Sequence, residues 1–265
     1  MAQEGFKYEE NAYEALQKYK ISIGGTAGAS HDKPDLTVQS NKKRAGVELK
    51  LSPTAAGSLV MKYSDGEWGF GDFKGDSEKE FLHALAKKFN LLREMNKSGS
   101  HGNKWRGKVP SLQNDPKTGK KLIIGAKDKR AAYAADLKKF GASNEVHIPI
   151  PARSICDYYI TKHCSYIGVG THGFYTLNNH DDLGLNKQLH LKGNVKIPDF
   201  SDHASAKIRV RCQYKGSGDY QFVMTLQFQS VKVSPYNIAP LKKGTGAEID
   251  VAALKADPLL LAFKP

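Results

Sequence analysis

The sequence lacks the features by which other proteins are cross-linked through disulfides or anchored in membranes. Its 265 residues include three cysteines, and this odd number without CxxC spacing excludes a disulfide framework and a cysteine-rich zinc site. No apolar run approaches the roughly 20 residues that a membrane-spanning helix needs. The first residues lack the basic and apolar regions of a signal peptide. We therefore expect a cytoplasmic protein.

The composition is that of a folded protein with a strong excess of positive charge. Hydrophobic residues make up 40% of the chain and charged residues 25%, which argues against wholesale disorder. Lysine and arginine number 40 against 27 acidic residues, for a net charge of +13. The excess is concentrated in residues 84–140, which hold 15 basic and 4 acidic side chains. Such a segment is expected to contact a polyanion.

A helix, a loop and two strands are predicted near the start of the chain, and the helix has an acidic residue within its apolar stripe. Residues 6–20 have apolar side chains at helical spacing, and Glu9 falls within the apolar stripe, where a carboxylate is costly unless it has a partner. A glycine-rich loop at 24–30 ends this helix. Two strands are then predicted at 35–39 and 45–51, with a polar turn between them.

These two strands carry the most informative charged residues. Glu48 and Lys50 lie two residues apart on the second strand and therefore project from the same face. A tight hairpin brings Asp35, at the start of the first strand, beside Glu48. Two carboxylates at that distance repel each other, and a divalent cation such as Mg²⁺ accommodates them. With a lysine on the same face, the set indicates metal-assisted hydrolysis of a phosphodiester.

The spacing of these residues resembles the signature of the PD-(D/E)xK nuclease superfamily. Pro34-Asp35 is followed after twelve residues by Glu48-Leu49-Lys50. The order of the elements is also similar, with an amphipathic helix, a glycine-rich loop, the Asp strand and the Glu-x-Lys strand. The resemblance implies an α/β fold with a restriction-endonuclease-like core, which is a mixed central sheet flanked by helices, and a C-terminal β-rich elaboration.

The resemblance also implies a role for each residue of the motif. Asp35, Glu48 and the backbone carbonyl of Leu49 would be ligands of Mg²⁺, for which Mn²⁺ can substitute. Lys50 would be the catalytic lysine. Glu9 matches the acid that many members place on their first helix, and it would assist both metal binding and catalysis.

A division of the chain into three segments follows from this resemblance, which covers residues 5–97. We expect a nuclease core at 1–100 and a basic, DNA-contacting insertion at 101–145. A β-rich C-terminal part at 146–265 is expected to pack on the core, so that the chain forms one domain.

The expected function is Mg²⁺-dependent hydrolysis of DNA phosphodiesters by a sequence-specific endonuclease of type II restriction type. The long segment after the core favours this subclass, because a bare junction resolvase needs less chain. A homing or Holliday-junction-resolving endonuclease is an alternative, as is a non-catalytic DNA-binding protein on a nuclease scaffold. The resemblance implies double-stranded DNA as a partner and suggests a homodimer.

Two sets of basic residues are candidates for contact with DNA. The first lies in the basic insertion, where cationic side chains can contact phosphates, although a solvated surface loop has the same composition. The second lies on a hairpin predicted at 208–228, which as a two-stranded ribbon would fit the major groove, although any antiparallel sheet with one wet face shows this pattern. The candidates are Lys104, Arg106, Lys108, Lys120, Lys121, Lys129, Arg130, Lys207, Arg209 and Arg211.

Overall fold

A computed structural model of the protein has a mixed α/β fold, as predicted. Within the residues that the structure describes, no helix is long and apolar enough to cross a membrane. Most of the predicted glycine-rich loop and the candidates Arg106, Lys108, Lys120 and Lys121 lie outside the described residues. The described residues are 2–25, 33–105, 126–140, 145–190, 195–213, 221–229 and 231–263.

The helices are mostly short, and the longest two are α1 and α5. Their bounds are α1 (Ala2–Gln17), α2 (Ser77–Lys88), α3 (Leu91–Asn96), α4 (His101–Lys104), α5 (Ala126–Phe140), α6 (Arg153–Thr161), α7 (Leu185–His190), α8 (Phe200–His203), α9 (Val251–Ala256) and α10 (Pro258–Ala262).

The strands form two separate five-stranded sheets. Their bounds are β1 (Ser22–Ile23), β2 (Leu36–Ser40), β3 (Lys43–Lys50), β4 (Ala55–Ser64), β5 (Glu67–Phe70), β6 (Glu145–Ile150), β7 (Cys164–Val169), β8 (Gly173–Thr176), β9 (Ser205–Gln213) and β10 (Gln221–Gln229). One sheet has the order β1-β2-β3-β7-β8, and the other has the order β5-β4-β10-β9-β6.

The chain divides into two compact units, and each draws on separated stretches of sequence. The first unit comprises Met1–Ala56, Ile150–Ala206 and Gln227–Pro265, and the second comprises Gly57–Pro149 and Lys207–Leu226. These units cut across the three predicted segments. The first unit takes strands from both the predicted core and the predicted β-rich part, because its sheet needs both to be complete.

The sheet of the first unit is mixed and has β3 at its centre. The strands β2 and β3 form an antiparallel hairpin, whereas β7 lies parallel to β3 on its other side. A parallel neighbour cannot be reached through a tight turn, so a long crossover connection is needed between β3 and β7. The last element of this connection is α6. Val47 and Leu49 of β3 are buried in the core of this unit, so the strand is shielded by its neighbours and by the helices.

The buried face of α1 differs slightly from the predicted one. Tyr8, Ala12 and Leu16 lie four residues apart and are buried, and the Tyr8 hydroxyl donates a 2.7 Å hydrogen bond to the carbonyl of Ala239. Phe6, which the sequence pattern places in the apolar stripe, is 50% exposed. The stripe is therefore rotated around the helix, because the deeply buried Tyr8 takes the central position instead.

The sheet of the second unit contains the hairpin predicted as a two-stranded ribbon. Both outer edges of this hairpin are paired, β9 with β6 and β10 with β4. Neighbouring strands lie about 4.8 Å apart, so the four spacings of a five-stranded sheet span about 19 Å. This width exceeds the roughly 12 Å of the DNA major groove. The ribbon prediction is therefore wrong in its geometry, although the alternation of buried and less buried residues along β9 is as predicted.

At Gly46 the backbone of β3 lies close to the turn before β7. A Cβ atom added at Gly46 would lie 2.4 Å from the carbonyl oxygen of His163 and 2.9 Å from Cβ of Pro34. We expect Gly46→Ala to lower the free energy of unfolding by about 1–3 kcal/mol, because backbone must move to admit the methyl group. Chemical denaturation followed by circular dichroism measures the change.

Gly5→Ala is the matched control, because a Cβ at Gly5 of α1 meets no atom within 4 Å. Alanine is also the better helix former, so this variant should be stabilised by up to about 1 kcal/mol. Equal denaturation midpoints for Gly46→Ala and the unmodified protein would contradict the close approach described above.

Candidate active site

The register of the β2–β3 hairpin places Asp35 beside Glu48, as the sequence predicts. Leu36 pairs with Val47 at the end of the ladder, so the next residue on each strand is Asp35 or Glu48. Beyond the last paired residues, the Asp35 side chain rather than a backbone carbonyl accepts the next hydrogen bond from β3. Its Oδ2 accepts a 2.8 Å hydrogen bond from the backbone N–H of Leu49. This bond holds the acid against β3 beyond the point where the paired strands end.

Glu48 lies at the centre of the cluster and is held by two lysines. The residue is 1% exposed, and an isolated carboxylate in such a position is costly. Its Oε1 lies 2.5 Å from Nζ of Lys50, and its Oε2 accepts a 3.0 Å hydrogen bond from Nζ of Lys162. Lys50 Nζ is also 3.8 Å from Oδ2 of Asp35. The structure thus brings together Asp35, Glu48 and Lys50 and adds a second cation.

Lys162 is the functional candidate that the sequence alone does not reveal. It follows α6 directly and precedes β7, the parallel neighbour of β3. The buried thiol of Cys164 also lies near the cluster, with Sγ 3.9 Å from Oε2 of Glu48. Neither residue is part of a recognisable local motif. Only the pairing of β3 with β7, which joins distant parts of the chain, indicates that they are neighbours of Glu48.

The ring of Tyr159 lies under both ammonium groups. Nζ of Lys50 is 5.9 Å from the ring centroid, and Nζ of Lys162 is 5.7 Å from it. Tyr159 is buried and belongs to α6, the helix that precedes β7. An aromatic face attracts a cation at this distance, and the attraction is stronger where water is excluded. The ring and the carboxylate of Glu48 together position the two lysines.

The charges of the cluster shift the pKa values in opposite directions. Burial and the negative charge of Glu48 raise the pKa of Asp35 to about 6. Burial alone would also raise the pKa of Glu48, but the ammonium groups of Lys50 and Lys162 outweigh burial and lower it. Burial opposes the charged form of both lysines, yet Glu48 and Asp35 raise their pKa values above the ordinary range. At neutral pH both lysines are protonated and Glu48 is ionised.

Glu9 lies beside this cluster and lines a pocket with Lys50. Burial, followed by the negative charge of Asp35, raises the pKa of Glu9 to about 7. The pocket has a volume of about 260 Å³ and is lined by Glu4, Gly5, Tyr8, Glu9, Leu49, Lys50, Leu51, Ser52 and Thr54. Glu9 is therefore a partly buried acid with a pKa near neutrality at an opening that reaches Lys50.

The donor set of the cluster fits Mg²⁺ better than a transition metal. Within the described part of the chain, no group of three or more His, Cys, Asp and Glu side chains is arranged to hold a metal ion. Glu9 is therefore not placed as a third ligand with Asp35 and Glu48. Two carboxylates are nevertheless what Mg²⁺ commonly takes from a protein, with waters and substrate phosphates completing its six oxygen ligands. The carbonyl of Leu49 remains a predicted ligand.

The described basic candidates for DNA contact lie in the second unit. Lys104 of α4 is exposed, whereas the side chains of Lys129 and Arg130 on α5 lie outside the described part. Nζ of Lys207 is 2.8 Å from Nδ1 of His147 on β6. Arg209 and Arg211 share the carboxylate of Glu145 on the same strand, at 3.9 and 3.5 Å. One acid facing two guanidinium groups leaves this sheet face with an excess of positive charge.

The raised pKa of Asp35 predicts how stability depends on pH in the metal-free protein. The folded state binds the Asp35 proton more tightly than the unfolded chain, whose pKa is near 3.8. Ionisation of Asp35 therefore disfavours folding, and the contribution of Asp35 to stability falls as the pH rises from about 4 to about 6. Between these pH values, we expect the free energy of unfolding to fall by about 1–3 kcal/mol less in Asp35→Asn than in the unmodified protein. Denaturation across that pH range in EDTA measures the difference. The exposed turn residue Asp65 supplies the control, and Asp65→Asn should leave the pH dependence intact.

Comparisons with protein-family models, with curated proteins and with solved structures found no match to this chain. The candidate function therefore depends on the residues and geometry described above.

Proposed function

We propose that the protein is a Mg²⁺-dependent endonuclease that hydrolyses phosphodiester bonds of double-stranded DNA. The observation that carries this proposal is the convergence of Asp35, Glu48 and Lys50 in one buried cluster next to a pocket. The carboxylates are suited to a hard cation, and the lysine is suited to a phosphate. The net charge of +13 supports a polyanionic substrate.

The topology around the cluster supports a restriction-endonuclease-like core as part of the proposal. The PD-(D/E)xK resemblance implies a mixed sheet flanked by helices, with the acid and the Glu-x-Lys motif on adjacent strands. The first unit has an antiparallel β2–β3 pair that carries Asp35 and the motif, and a parallel β7 that follows α6. In this arrangement the second unit contains most of the long stretch between β3 and α6.

Each residue of the cluster has a chemical role in the proposed reaction. Asp35 and Glu48, with the carbonyl of Leu49, would hold Mg²⁺, which when bound supplies an activated water and neutralises phosphate charge. Lys50 stays protonated and donates to a phosphate oxygen as negative charge develops. Glu9 has a pKa near neutrality, which suits it to accept a proton from the attacking water.

Sequence-specific cleavage of the type II restriction kind is the subclass that we propose. The second unit has a basic sheet face, formed by Lys207, Arg209 and Arg211, whose excess positive charge suits contact with DNA phosphates. A homodimer that cuts both strands belongs to the same proposal. Homing or junction-resolving cleavage would use the same cluster on a different substrate.

A non-catalytic DNA-binding protein on this scaffold is the second candidate. The favouring observation is that both carboxylate oxygens of Glu48 are already paired with lysine. A site held closed in this way would bind DNA without cutting it. Salt-sensitive DNA binding without cleavage in Mg²⁺, on duplex and on branched substrates, would support this candidate over the first.

Cleavage of plasmid and phage DNA in Mg²⁺ or EDTA tests the proposal. We expect discrete fragments in Mg²⁺ and none in EDTA. Glu48→Gln and Lys50→Met should each lower the cleavage rate by about 10²–10³-fold or more, because each removes a charge that the reaction requires. Gel electrophoresis with tenfold steps of enzyme measures the rates.

Exposed residues of the same types provide the controls for this experiment. Glu67→Gln on β5 and Lys62→Met on β4 should cleave like the unmodified protein. A smear of fragments in Mg²⁺ would refute sequence specificity but not hydrolysis. Rates that do not change in Glu48→Gln would overturn the assignment of the cluster as the active site.

Glu9 is tested separately, because its side chain is outside the tight cluster. We expect Glu9→Gln to lower the cleavage rate by at least about tenfold through loss of a proton acceptor. Its neighbour Glu10 is exposed on the same helix, so Glu10→Gln should have no effect. Equal rates for the two variants would show that Glu9 takes no part in the reaction.

A further inference from the structure

Lys162 gives the cluster a positive charge that the Asp, Glu and Lys motif does not require. Its ammonium group is 3.0 Å from Oε2 of Glu48, and its side chain is only 10% exposed. Lys50 already occupies Oε1 at 2.5 Å. The two lysines therefore take both oxygens of the acid that the proposed function assigns to a metal ion.

The charges of the cluster balance without a metal ion. Two carboxylates, Asp35 and Glu48, face two ammonium groups, Lys50 and Lys162, within a buried space. Addition of a divalent cation would leave an excess of positive charge, which is costly where water is scarce. The ion must therefore displace an ammonium group from Glu48 or bind together with an anion.

The geometry indicates which lysine opposes binding of the ion at Glu48. Lys50 lies on β3 beside Glu48 and faces Asp35 as well, so it remains paired if it leaves Oε1. Lys162 reaches Glu48 from the end of α6, and Glu48 is its only ion-pair partner within the described residues. A cation at Oε2 would place two positive charges close to the ammonium of Lys162, and the repulsion is strong at such distances.

We propose that Lys162 is a positioning residue that competes with the divalent cation for Oε2 of Glu48 and so weakens binding of the free ion. This inference rests on the proposed function, because it takes Glu48 to be a metal ligand. Its consequence is that the ion binds tightly only when the negative charge of a DNA phosphate enters the site and restores the balance. Binding of metal and of DNA are then coupled, and the coupling is reciprocal.

Binding of Mn²⁺ alone to the 265-residue chain tests this inference without any cleavage measurement. Free Mn²⁺ is measured by electron paramagnetic resonance at constant ionic strength and without DNA. We expect Lys162→Met to bind Mn²⁺ at least about tenfold more tightly than the unmodified protein, since a competing charge is removed. Lys162→Arg keeps the charge and should retain the weak binding.

The control is Lys43→Met, which removes an exposed lysine from the other end of β3, about 17 Å from Glu48 along the strand. At that distance screening by salt is nearly complete, so its Mn²⁺ affinity should not change. Lys162→Gln replaces Lys162→Met if circular dichroism shows that the methionine variant is unfolded.

The outcomes separate this inference from the proposed function. Tighter Mn²⁺ binding in Lys162→Met alone supports competition for Glu48. Equal or weaker binding overturns it and makes Lys162 a structural partner of Glu48, while the Mg²⁺ cleavage assay of the unmodified protein still decides the function. If neither protein binds Mn²⁺ at millimolar concentration, the inference is overturned as well.

Discussion

The buried negative charge of Glu48 is the constraint on which the first unit depends. A carboxylate that is 1% exposed must be balanced, and here the balance comes from Lys50 on β3 itself and from Lys162 just before β7. Buried ion pairs of this kind rarely add stability compared with well-packed apolar residues. A sheet centre with two acids and two lysines is therefore better explained by the chemistry of a site than by the needs of the core. The parallel pairing of β7 with β3 places Lys162, two residues before β7 begins, next to Glu48.

Local geometry made three of the four clustered residues predictable. Side chains two positions apart on a strand share a face, which places Lys50 with Glu48. A short hairpin then has few possible registers, so Asp35 falls opposite Glu48 once both strands are recognised. The first helix and the strand pair follow from the same short-range patterns, whereas the α/β class was implied by the family resemblance.

The remaining features depend on pairings between distant parts of the chain, to which short-range patterns are blind. Lys162 lies 114 positions after Glu48, and no spacing rule joins them. The hairpin of β9 and β10 looks like a free ribbon in sequence because its partners β4 and β6 are far from it along the chain. The predicted segments follow the order of the chain, whereas each unit joins stretches that are far apart in sequence. Side-chain alternation predicts which residues face inward but not which strand lies alongside.

The distance in sequence between β3 and β7 also determines when the cluster can assemble during synthesis. At roughly 5–20 residues per second, a ribosome takes about 6–23 seconds to proceed from Glu48 to Lys162 over the 114 positions between them. During that interval the nascent chain has the motif residues but neither the parallel strand nor the second cation. Such pairing has high contact order and forms slowly. A truncated or nascent chain that ends before β7 therefore contains Asp35, Glu48 and Lys50 without the assembled site.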